Sequence, residues 1–420
     1  MKFAYLSLML IDIFRGTRVI SKYKELSRLQ FSTPSEVRKR QQKALANYFS
    51  KLLKKTDRYK LASSIEEIEI ADKKWIRDNQ WRLINKSARR KILRRTGGST
   101  GEPFEYYTTT LAQSYLWAGI FLSWQVAGYN LGDRAVFLGG ASILGKRNLL
   151  KKLFFRLQNI FVIDCFEKQF DLSKKSVLEI YKIRPKYIYG YGNILFEIAK
   201  DLKARGVPPP PGIQGIISTA DPLTQNMRLV IEDFFLCPVF NQYGSNDAGV
   251  SAFECEKRNG FHLITERCYL ETDGEGNFIS TDMKNYAMAM ARYKFGDIGS
   301  ITWDSCECGR GYPRIINLQG RSNDVLRLYA GGVIHSSFFS YFLKKEVDIK
   351  QWQVTKRNEV IKINIIGLHP EKHAAFIKKY QAAISNELGD VLVCIVFDED
   401  IAKTKVGKFR FVIDFDESLN

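Results

Sequence analysis

The sequence predicts an α/β protein, with a large N-terminal domain built on parallel or mixed sheets and a small, mobile C-terminal α+β domain. The chain has 420 residues, 45% of them hydrophobic and 26% charged, which is a soluble composition long enough for more than one core. Short apolar segments alternate with helical segments of about 10 to 14 residues, and this alternation favours parallel strands. After Gly320 the order changes to two strands, a helix and a further strand, which can form a separate small core.

The elements follow from periodicity, taken in chain order. Residues 34–60 and 73–95 carry helical periodicity with many Lys, Arg and Gln, so the part up to about residue 90 is expected to be helical. Further helices are predicted at 110–126, 172–183, 193–205 and 223–235, with strands at 135–138, 187–189, 213–218 and 239–240. In the C-terminal part the prediction is a hairpin of 352–354 with 360–366, a helix at 370–388 and a strand at 391–397. The domain boundaries are placed at 1–323 and 324–420.

The N-terminal segment is apolar but short. Asp12 interrupts it, no small-residue cleavage site follows, and it lacks the length to span a bilayer. We expect either a buried helix or an interfacial helix backed by basic residues, namely Arg15, Arg18, Lys22 and Lys24. The expected location is cytoplasmic, with peripheral contact at the inner face of the membrane left open.

The net charge of +19 is unusual, and its basic residues are spread along the whole chain. Such a charge forms a solvated surface, attracts polyanions such as ATP, or holds a protein against anionic lipid. No basic stripe is interleaved with stacking aromatic residues, so nucleic-acid binding is not predicted. The seven cysteines form an odd set, which fits a reducing compartment better than a disulfide scaffold.

The most informative segment is Thr96-Gly97-Gly98-Ser99-Thr100-Gly101-Glu102-Pro103. Glycines permit close backbone approach, and backbone N–H groups with hydroxyls form a concave set of donors suited to a polyphosphate. The segment is not the P-loop pattern, and Phe104 to Tyr107 has the composition of a strand. The sequence therefore predicts a strand–loop–strand clamp, and an ordinary polar turn is the alternative.

Four further loops leave the predicted strands at their carboxyl ends, where open α/β sheets bind ligands. They are Gly139-Gly140, Gly190 to Asn193, Thr219 to Pro222 and Gln242 to Ser245. Each has a plain structural alternative: Tyr243 is explained equally by core packing, and isolated aspartates by turns.

Taken in order, these motifs resemble the adenylate-forming superfamily of acyl-CoA synthetases, luciferases and adenylation domains. The resemblance extends from about Leu45 to the C-terminus. It is strongest to the phenylacetate–CoA ligase-like branch, including members associated with capsular polysaccharide biosynthesis. Single motifs are weakly specific, but five in the family's order are jointly specific.

The resemblance implies roles for individual residues. It implies that Lys408, Asp247 and Thr96 are catalytic, that Asp324 is the hinge, and that Asp247 meets Mg²⁺ and the α-phosphate. The implied nucleotide-binding residues are Thr96, Gly98, Ser99, Thr100, Gly101, Ala220, Asp221, Asn241, Gln242, Tyr243, Gly244, Ser245, Asn246, Asp297 and Arg321. Three positions depart from the family pattern: Gly97 replaces the usual serine, Asn246 the usual threonine or serine, and Asp247 the usual glutamate.

By the same resemblance, the expected activity is ATP-dependent formation of an acyl-AMP from a small-molecule carboxylic acid, followed by transfer to a thiol, with CoA as co-substrate. Tyr189, Tyr191, Gly139 and Gly140 are expected to frame the acyl pocket, and the tyrosines favour an aromatic acid. Two alternatives stay open: transfer to a carrier protein or glycan precursor, and a non-catalytic scaffold that binds nucleotide or zinc. A homodimer is also left open.

A metal site is predicted from four residues. Cys255, His262, Cys306 and Cys308 supply three thiols and one imidazole, a normal set for structural Zn²⁺. The spacing is irregular for a zinc finger, so reduced, half-buried cysteines are the alternative. Similar patterns in members of the family that the chain resembles favour zinc.

Overall fold

The computed structural model describes residues 2–53, 56–96, 104–139, 149–164, 176–220 and 223–321, and shorter segments beyond them at 325–327, 333–335, 339, 343, 349, 351–358, 360–388, 391–397, 401 and 412–414. The described residues form two compact units. The larger unit holds most of the chain up to Leu318, and the smaller unit holds the residues from Gln319 onward together with 296–298. The expected boundary between residues 323 and 324 lies outside the described residues and stays a prediction.

Eleven α-helices lie in the described part of the chain. They are α1 (Lys2–Arg15), α2 (Val19–Leu29), α3 (Pro34–Lys51), α4 (Lys73–Asp78), α5 (Gln80–Leu83), α6 (Thr110–Gln125), α7 (Leu149–Leu157), α8 (Ser176–Ile183), α9 (Gly192–Ala204), α10 (Gln225–Phe235) and α11 (His373–Leu388). Threonine hydroxyls accept backbone N–H groups at the starts of α3, α6 and α10, as expected of N-cap residues. No helix of the described part has the length and hydropathy needed to cross a bilayer.

Strands are named in chain order. The first ten are β1 (Ala71–Asp72), β2 (Ile92–Thr96), β3 (Phe104–Thr108), β4 (Ala135–Gly139), β5 (Ile160–Asp164), β6 (Tyr187–Tyr191), β7 (Gly215–Thr219), β8 (Val239–Ser245), β9 (Val250–Glu254) and β10 (Phe261–Leu263). The others are β11 (Cys268–Thr272), β12 (Asn277–Asp282), β13 (Tyr293–Thr302), β14 (Arg314–Arg321), β15 (Val325–Arg327), β16 (Val333–His335), β17 (Gln351–Arg357), β18 (Val360–Ile366), β19 (Leu392–Phe397) and β20 (Val412–Asp414).

One mixed sheet of 12 strands dominates the larger unit, in the order β11-β12-β13-β14-β10-β9-β8-β7-β6-β4-β5, with β1 beside β13. The neighbouring strands β5, β4, β6, β7 and β8 are parallel to one another. On the other side of β8 the pairing is antiparallel: β9 pairs with β8, β10 with β9, and β14 with β10. Strand β8 therefore joins a parallel half to an antiparallel half. The predicted α/β class with a mixed sheet is confirmed.

The parallel strands are buried on both faces, because a core cluster lies on each side of the sheet. Phe137 and Tyr189 face one cluster, which includes Trp124 of α6. Their neighbours Val136 and Ile188 face the other cluster, which includes residues of α9 and α10. This alternation follows from the two-residue period of a strand. Because both faces are buried, most positions in these strands are apolar, and the strands appear in the sequence as continuous apolar segments.

Two helical predictions near the N-terminus are wrong in part. Helix α3 ends at Lys51 rather than near residue 60. The segment 73–95 contains only the short helices α4 and α5 before it extends into β2. Strand β2 pairs antiparallel with β3, with Thr96 opposite Phe104, so tertiary pairing overrides helical periodicity there. The same pairing confirms the two strands that flank the predicted clamp, and the loop 97–103 between them lies outside the described residues.

Asp12 explains how α1 meets α2. Its carboxylate accepts the backbone N–H of Val19 at 3.0 Å and of Ile20 at 3.0 Å, and the hydroxyl of Thr17 at 2.6 Å. A negative charge at a helix N-terminus is favourable, so Asp12 caps α2 from the neighbouring helix.

The smaller unit carries a four-stranded sheet in the order β19-β18-β17-β20. Strands β17 and β18 form an antiparallel hairpin, and β19 and β20 each add in parallel. Phe376, Tyr380 and Ile384 of α11 belong to the same core as Trp352 and Ile363 of the hairpin. The predicted order of hairpin, helix and strand is confirmed.

Candidate functional site

Three parallel strands end side by side at one edge of the large sheet. The register places Tyr191 of β6 beside Thr219 of β7, and Thr219 beside Gln242 of β8. Ala220 follows β7 with a φ of 67°, in the left-handed region, so the chain turns sharply at that point. Residues predicted from separate loops are thus brought to the carboxyl ends of adjacent strands, where α/β sheets bind ligands.

Two polar atoms at these strand ends are buried and have no hydrogen-bond partner among the described residues. They are the hydroxyl of Ser218 on β7 and the side-chain carbonyl of Gln242 on β8. Buried polar groups are nearly always paired, because leaving one unpaired costs about 1–3 kcal/mol. Because Ser218 pairs with Asn241 and Thr219 pairs with Gln242, the two side chains point to opposite faces of the sheet, and each leaves an unpaired polar atom near the carboxyl end of its strand.

A buried ion pair holds strand β8. Arg228 of α10 donates to both carboxylate oxygens of Glu254, at 2.9 and 2.8 Å, and also to the backbone carbonyl of Val239. The same Glu254 accepts the backbone N–H of Asn241 at 2.8 Å. Bidentate pairs of this kind fix geometry strongly, so the position of β8 is set by residues on α10 and β9.

Asp247 lies two residues beyond β8 and is 8% exposed. The hydroxyl of Ser245 donates to its Oδ1 at 3.0 Å, and the hydroxyl of Tyr293 donates to its Oδ2 at 3.1 Å. The ammonium of Lys73 lies 3.8 Å from the same Oδ2. The carboxylate is therefore oriented by two hydroxyls and partly neutralised by one cation.

Arg267 holds the turn that carries Asn246 and Asp247. Arg267 donates to the carbonyl of Asn246 at 3.2 Å and forms a buried pair with Asp282 at 3.0 Å. Gly249 closes the turn with a φ of 74°, and a Cβ placed there would lie 2.6 Å from Cγ of Asp282. Only glycine fits this position, which fixes the turn against β12.

The tyrosines of the predicted pockets differ in their surroundings. Tyr189 is buried between Phe137 and Trp124, with ring centroids 4.7 and 5.0 Å away, and burial raises its pKa. Tyr191 is also buried. Tyr243 is only half-buried, and its ring centroid lies 6.1 Å from that of Phe261. Tyr243 is thus partly accessible at the end of β8, whereas Tyr189 is largely used by the core.

A second cluster lies in the antiparallel half of the sheet. The ligand atoms of Cys255, His262, Cys306 and Cys308 all lie within 4.8 Å of one another. The sulfurs of Cys255 and Cys306 are 3.8 Å apart, and Cys308 Sγ is 3.3 Å from His262 Nε2. A tetrahedral zinc with Zn–S bonds of about 2.3 Å requires sulfurs about 3.8 Å apart, so the arrangement fits the ion.

The surroundings of the cluster also suit a metal. His262 Nδ1 lies 3.4 Å from the carbonyl of Tyr312, a contact that places the proton on Nδ1 and leaves Nε2 as a ligand. Burial, with the charge of Arg310, lowers the pKa of His262 to about 4, so the imidazole is neutral. Burial raises the pKa of Cys255 to about 12, which opposes the thiolate form that binds a metal. For Cys308, hydrogen bonds from Arg310 outweigh burial and lower the pKa, which favours the thiolate.

Comparisons with known proteins give relatives of one kind, although no protein-family model matches the chain. Among solved structures, a 2-hydroxyisobutyryl-CoA ligase in the postadenylation state aligns over 93% of this chain and 92% of its own, with a TM-score of 0.68 and 16% identity. An anthranilate CoA ligase in complex with anthranoyl-AMP covers 76% of this chain and 65% of its own, with a TM-score of 0.53 and 16% identity. At these identities the likeness shows the fold alone.

Curated sequences add a relationship along the chain. Protein CapK of Staphylococcus aureus is 24% identical over 401 residues, covering 88% of this chain and 85% of its own. Phenylacetate-coenzyme A ligase of Thermus thermophilus is 25% identical over 203 residues, covering 45% of this chain and 46% of its own. These relatives support the resemblance to the adenylate-forming, phenylacetate–CoA ligase-like family that the motifs indicate.

Several predicted site residues lie outside the described part of the chain. They are Gly97, Gly98, Ser99, Thr100, Gly101, Gly140, Asp221, Asp324 and Lys408. Thr96 and Arg321 are described only as the last residues of β2 and β14, and Gly139 as the last residue of β4. Asp297 lies within β13, in the stretch that belongs to the smaller unit. The roles of all these residues stay predictions.

Sequence reasoning missed the residues that position the predicted ones. Lys73 and Tyr293 contact Asp247, and Arg228 with Glu254 holds Asn241. A weak indication was present for Tyr293, because it lies four positions before Asp297, a predicted nucleotide-binding residue. For Lys73 and Arg228 the sequence offers no comparable indication.

Proposed function

We propose that this protein activates a carboxylic acid with ATP, forming acyl-AMP and pyrophosphate, and then transfers the acyl group to CoA. The observation that carries the proposal is the shared edge of β6, β7 and β8, where Gln242 and Ser218 present buried, unpaired polar atoms. The half-buried Tyr243 lies on β8, and the oriented carboxylate of Asp247 lies on the turn that follows it. The ligase names of the relatives support the same chemistry.

In the first step a carboxylate oxygen attacks the α-phosphorus of ATP. A new P–O bond forms to the acid, the bond from the α-phosphorus to the bridging oxygen breaks, and pyrophosphate leaves with that electron pair. The nucleophile is already ionised at neutral pH, so no general base is needed. The main requirement is to hold several anions together, which positioning and positive charge achieve.

Within this scheme, Asp247 and the nucleotide phosphates would hold Mg²⁺. When bound, the ion supplies positive charge at the phosphates. The fit rests on the carboxylate, which Ser245 and Tyr293 already orient. Lys73 supplies further positive charge beside the same carboxylate, with its ammonium 3.8 Å from Oδ2. Thr96 to Gly101 would hold the leaving pyrophosphate, and Lys408 would neutralise the attacking carboxylate.

In the second step the CoA thiolate attacks the acyl carbonyl. A C–S bond forms, the C–O bond to AMP breaks, and AMP leaves as the anion. Lys408 would serve the first step, and a hinge at Asp324 would separate the first step from the second.

For the acid, we propose an aromatic or otherwise flat carboxylic acid in a pocket bordered by Gly139, Gly140, Tyr189 and Tyr191. Gly190 lies between the two tyrosines with its Cβ position 2.9 Å from the Leu138 side chain, so the strands β4 and β6 approach closely there. The two tyrosines at this border favour a flat aromatic acid, because aromatic rings pack against one another.

The test is pyrophosphate release from MgATP by the full chain across matched aromatic and aliphatic acids. We expect release that depends on the acid, and a thioester detected by mass spectrometry when CoA is added. Lys408→Ala should abolish release without changing thermal unfolding, whereas Lys362→Ala, at an exposed lysine of β18, should retain it. Unchanged release by Lys408→Ala would contradict the assignment of that lysine.

The same assay separates the two alternative functions, an enzyme with another acyl acceptor and a non-catalytic scaffold. Acid-dependent pyrophosphate release without thioester would indicate another acceptor, such as a carrier protein or a glycan precursor. Nucleotide binding measured by calorimetry, without release for any acid, would indicate a non-catalytic scaffold.

We also propose structural zinc at Cys255, His262, Cys306 and Cys308. Four protein ligands leave no open coordination position, so the site would brace the fold rather than take part in the reaction. It would tie the end of β9 to β10 and to the loop before β14. Metal analysis of the purified protein should give one zinc per chain, and the absence of stoichiometric zinc would remove the proposal.

A further inference from the structure

We propose that helix α1 docks the protein onto the surface of an anionic lipid bilayer. The helix exposes five large apolar side chains spaced at i, i+3, i+4, i+7 and i+8, which places them on one face. They are Leu6 (54% exposed), Met9 (43%), Leu10 (60%), Ile13 (75%) and Phe14 (91%). These five residues are called the apolar stripe below.

The apolar stripe is not the face that holds α1 to the protein. That task falls to Ala4 and Leu8, which are buried, and Leu8 belongs to the core cluster that also contains Val19 of α2 and Trp124 of α6. The helix therefore has two apolar faces, and only one of them is used within the described fold. Exposed apolar surface of this extent on one helix marks an interaction site.

The charges around α1 fit a negatively charged partner. Residues 1–30 contain six basic and two acidic side chains, and both acids are engaged internally. Asp12 caps α2, while Glu25 pairs with Lys22 at 2.5 Å and accepts the hydroxyl of Tyr115 at 3.0 Å. Arg15, Arg18, Lys24 and Arg28 are exposed around them. The outer surface of this region is therefore apolar and positively charged.

The basic residues lie close to the helix itself. The Lys24 ammonium is 5.7 Å from the ring centroid of Tyr5 on α1, and the Arg15 guanidinium at the end of α1 is 4.8 Å from the ring of Phe154. Phe154 belongs to α7, which contacts α1 and also exposes Leu153 by 55%. Cations beside exposed apolar side chains are typical of helices that lie in the headgroup region of a bilayer.

The dimensions favour a helix that lies in the plane of the membrane. Its 14 residues extend about 21 Å, less than the hydrocarbon thickness of about 30 Å. A second copy of the chain would be a poorer occupant, because two such faces would bring like charges together and each copy carries a net charge of +19. An anionic lipid surface gains from the same charges.

The experiment is co-sedimentation of the full chain with vesicles of phosphatidylcholine alone or mixed with phosphatidylserine. We expect at least tenfold stronger binding to the mixed vesicles, and weaker binding as salt is raised. Ile13→Gln with Phe14→Gln should lower binding tenfold or more by removing apolar contact. Arg18→Gln and Lys24→Gln should each lower binding about fivefold, since a basic residue near such a surface contributes about 1 kcal/mol.

Leu61→Gln is the matched control, because Leu61 is 89% exposed but lies outside the N-terminal helices. It should bind vesicles like the unaltered protein, and all variants should unfold at the same temperature because only exposed side chains change. Absence of binding to the mixed vesicles, or equal binding by the Ile13/Phe14 variant, would overturn the proposal. A dimer at micromolar concentration that the same variant converts to a monomer would also overturn it and assign the apolar stripe to self-association.

Discussion

Replacing Glu254 with alanine should destabilise the protein and loosen strand β8. The change leaves the Arg228 guanidinium buried without its carboxylate, and the Asn241 N–H without its acceptor. The two charged side chains are only 6% and 9% exposed, so water cannot replace the lost partner without rearrangement. The perturbation therefore acts on a fully desolvated pair.

The magnitude follows from that burial. Breaking a buried ion pair from one side costs about 3–5 kcal/mol, because an uncompensated charge stays inside. The loss at Asn241 overlaps with this cost, so we expect about 4 kcal/mol in total. Glu254→Gln should cost less than Glu254→Ala, since the amide oxygen still accepts the Asn241 N–H. Combining Arg228→Met with Glu254→Gln should recover part of the loss, because the unpaired charge is removed.

The assay is urea unfolding followed by tryptophan fluorescence, together with calorimetric titration of nucleotide. Asp233→Asn is the control, since its pair with Lys203 is about 60% exposed on both sides and should contribute no more than about 0.5 kcal/mol. A cost below about 1 kcal/mol for Glu254→Ala would refute the reasoning. The reasoning would also be refuted if the variant that combines Arg228→Met with Glu254→Gln were no more stable than Glu254→Ala.

Three further predictions follow from single contacts. Tyr293→Phe removes only the hydroxyl on Asp247, so it should weaken MgATP use in the pyrophosphate assay while costing no more than about 1.5 kcal/mol of stability; an unchanged KM for MgATP would contradict the role of that hydroxyl. Gly249→Ala should lower the free energy of unfolding in urea by about 2 kcal/mol or more, because the added Cβ would clash with Asp282. The control Gly206→Ala, at a φ of 65° with open space around it, should cost only about 1 kcal/mol. Equal costs for the two variants would contradict the steric argument. Cys308→Ser should abolish stoichiometric zinc in metal analysis and lower the unfolding temperature, while Cys394→Ser, outside the cluster, should retain zinc; zinc retained by Cys308→Ser would refute the four-ligand site.

The sequence predicted the parallel half of the sheet well, because its strands are continuous apolar runs between helices. Strand β4 was expected at 135–138 and lies at Ala135–Gly139, and helix α6 was expected at 110–126 and lies at Thr110–Gln125. Strand β8 was expected only at 239–240 but continues to Ser245. Its later residues are mostly polar, and they extend the strand because Tyr243 to Ser245 pair with β9 beyond the end of the β7 ladder.

The candidate site was only partly predictable for a similar reason. Motif order identified Tyr243 and Asp247, which lie on one strand and the turn after it. The groups that orient Asp247 come from Lys73, 174 positions earlier, and Tyr293, 46 positions later. Contacts over such separations are set by the packing of the sheet, and no local periodicity encodes them. The metal cluster is the exception, because cysteine and histidine are rare enough for their chemistry to be recognised without knowing the fold.

The double pairing of β8 has a consequence for how binding preferences can diversify. A strand bonded to neighbours on both sides, one parallel and one antiparallel, cannot slip by one residue without breaking two ladders at once. The distance between Thr219 and Gln242 is thereby locked, and substitutions around them are tightly constrained. Selection for new acids should instead accumulate substitutions at the ends of β4 and β6, which border the proposed acyl pocket.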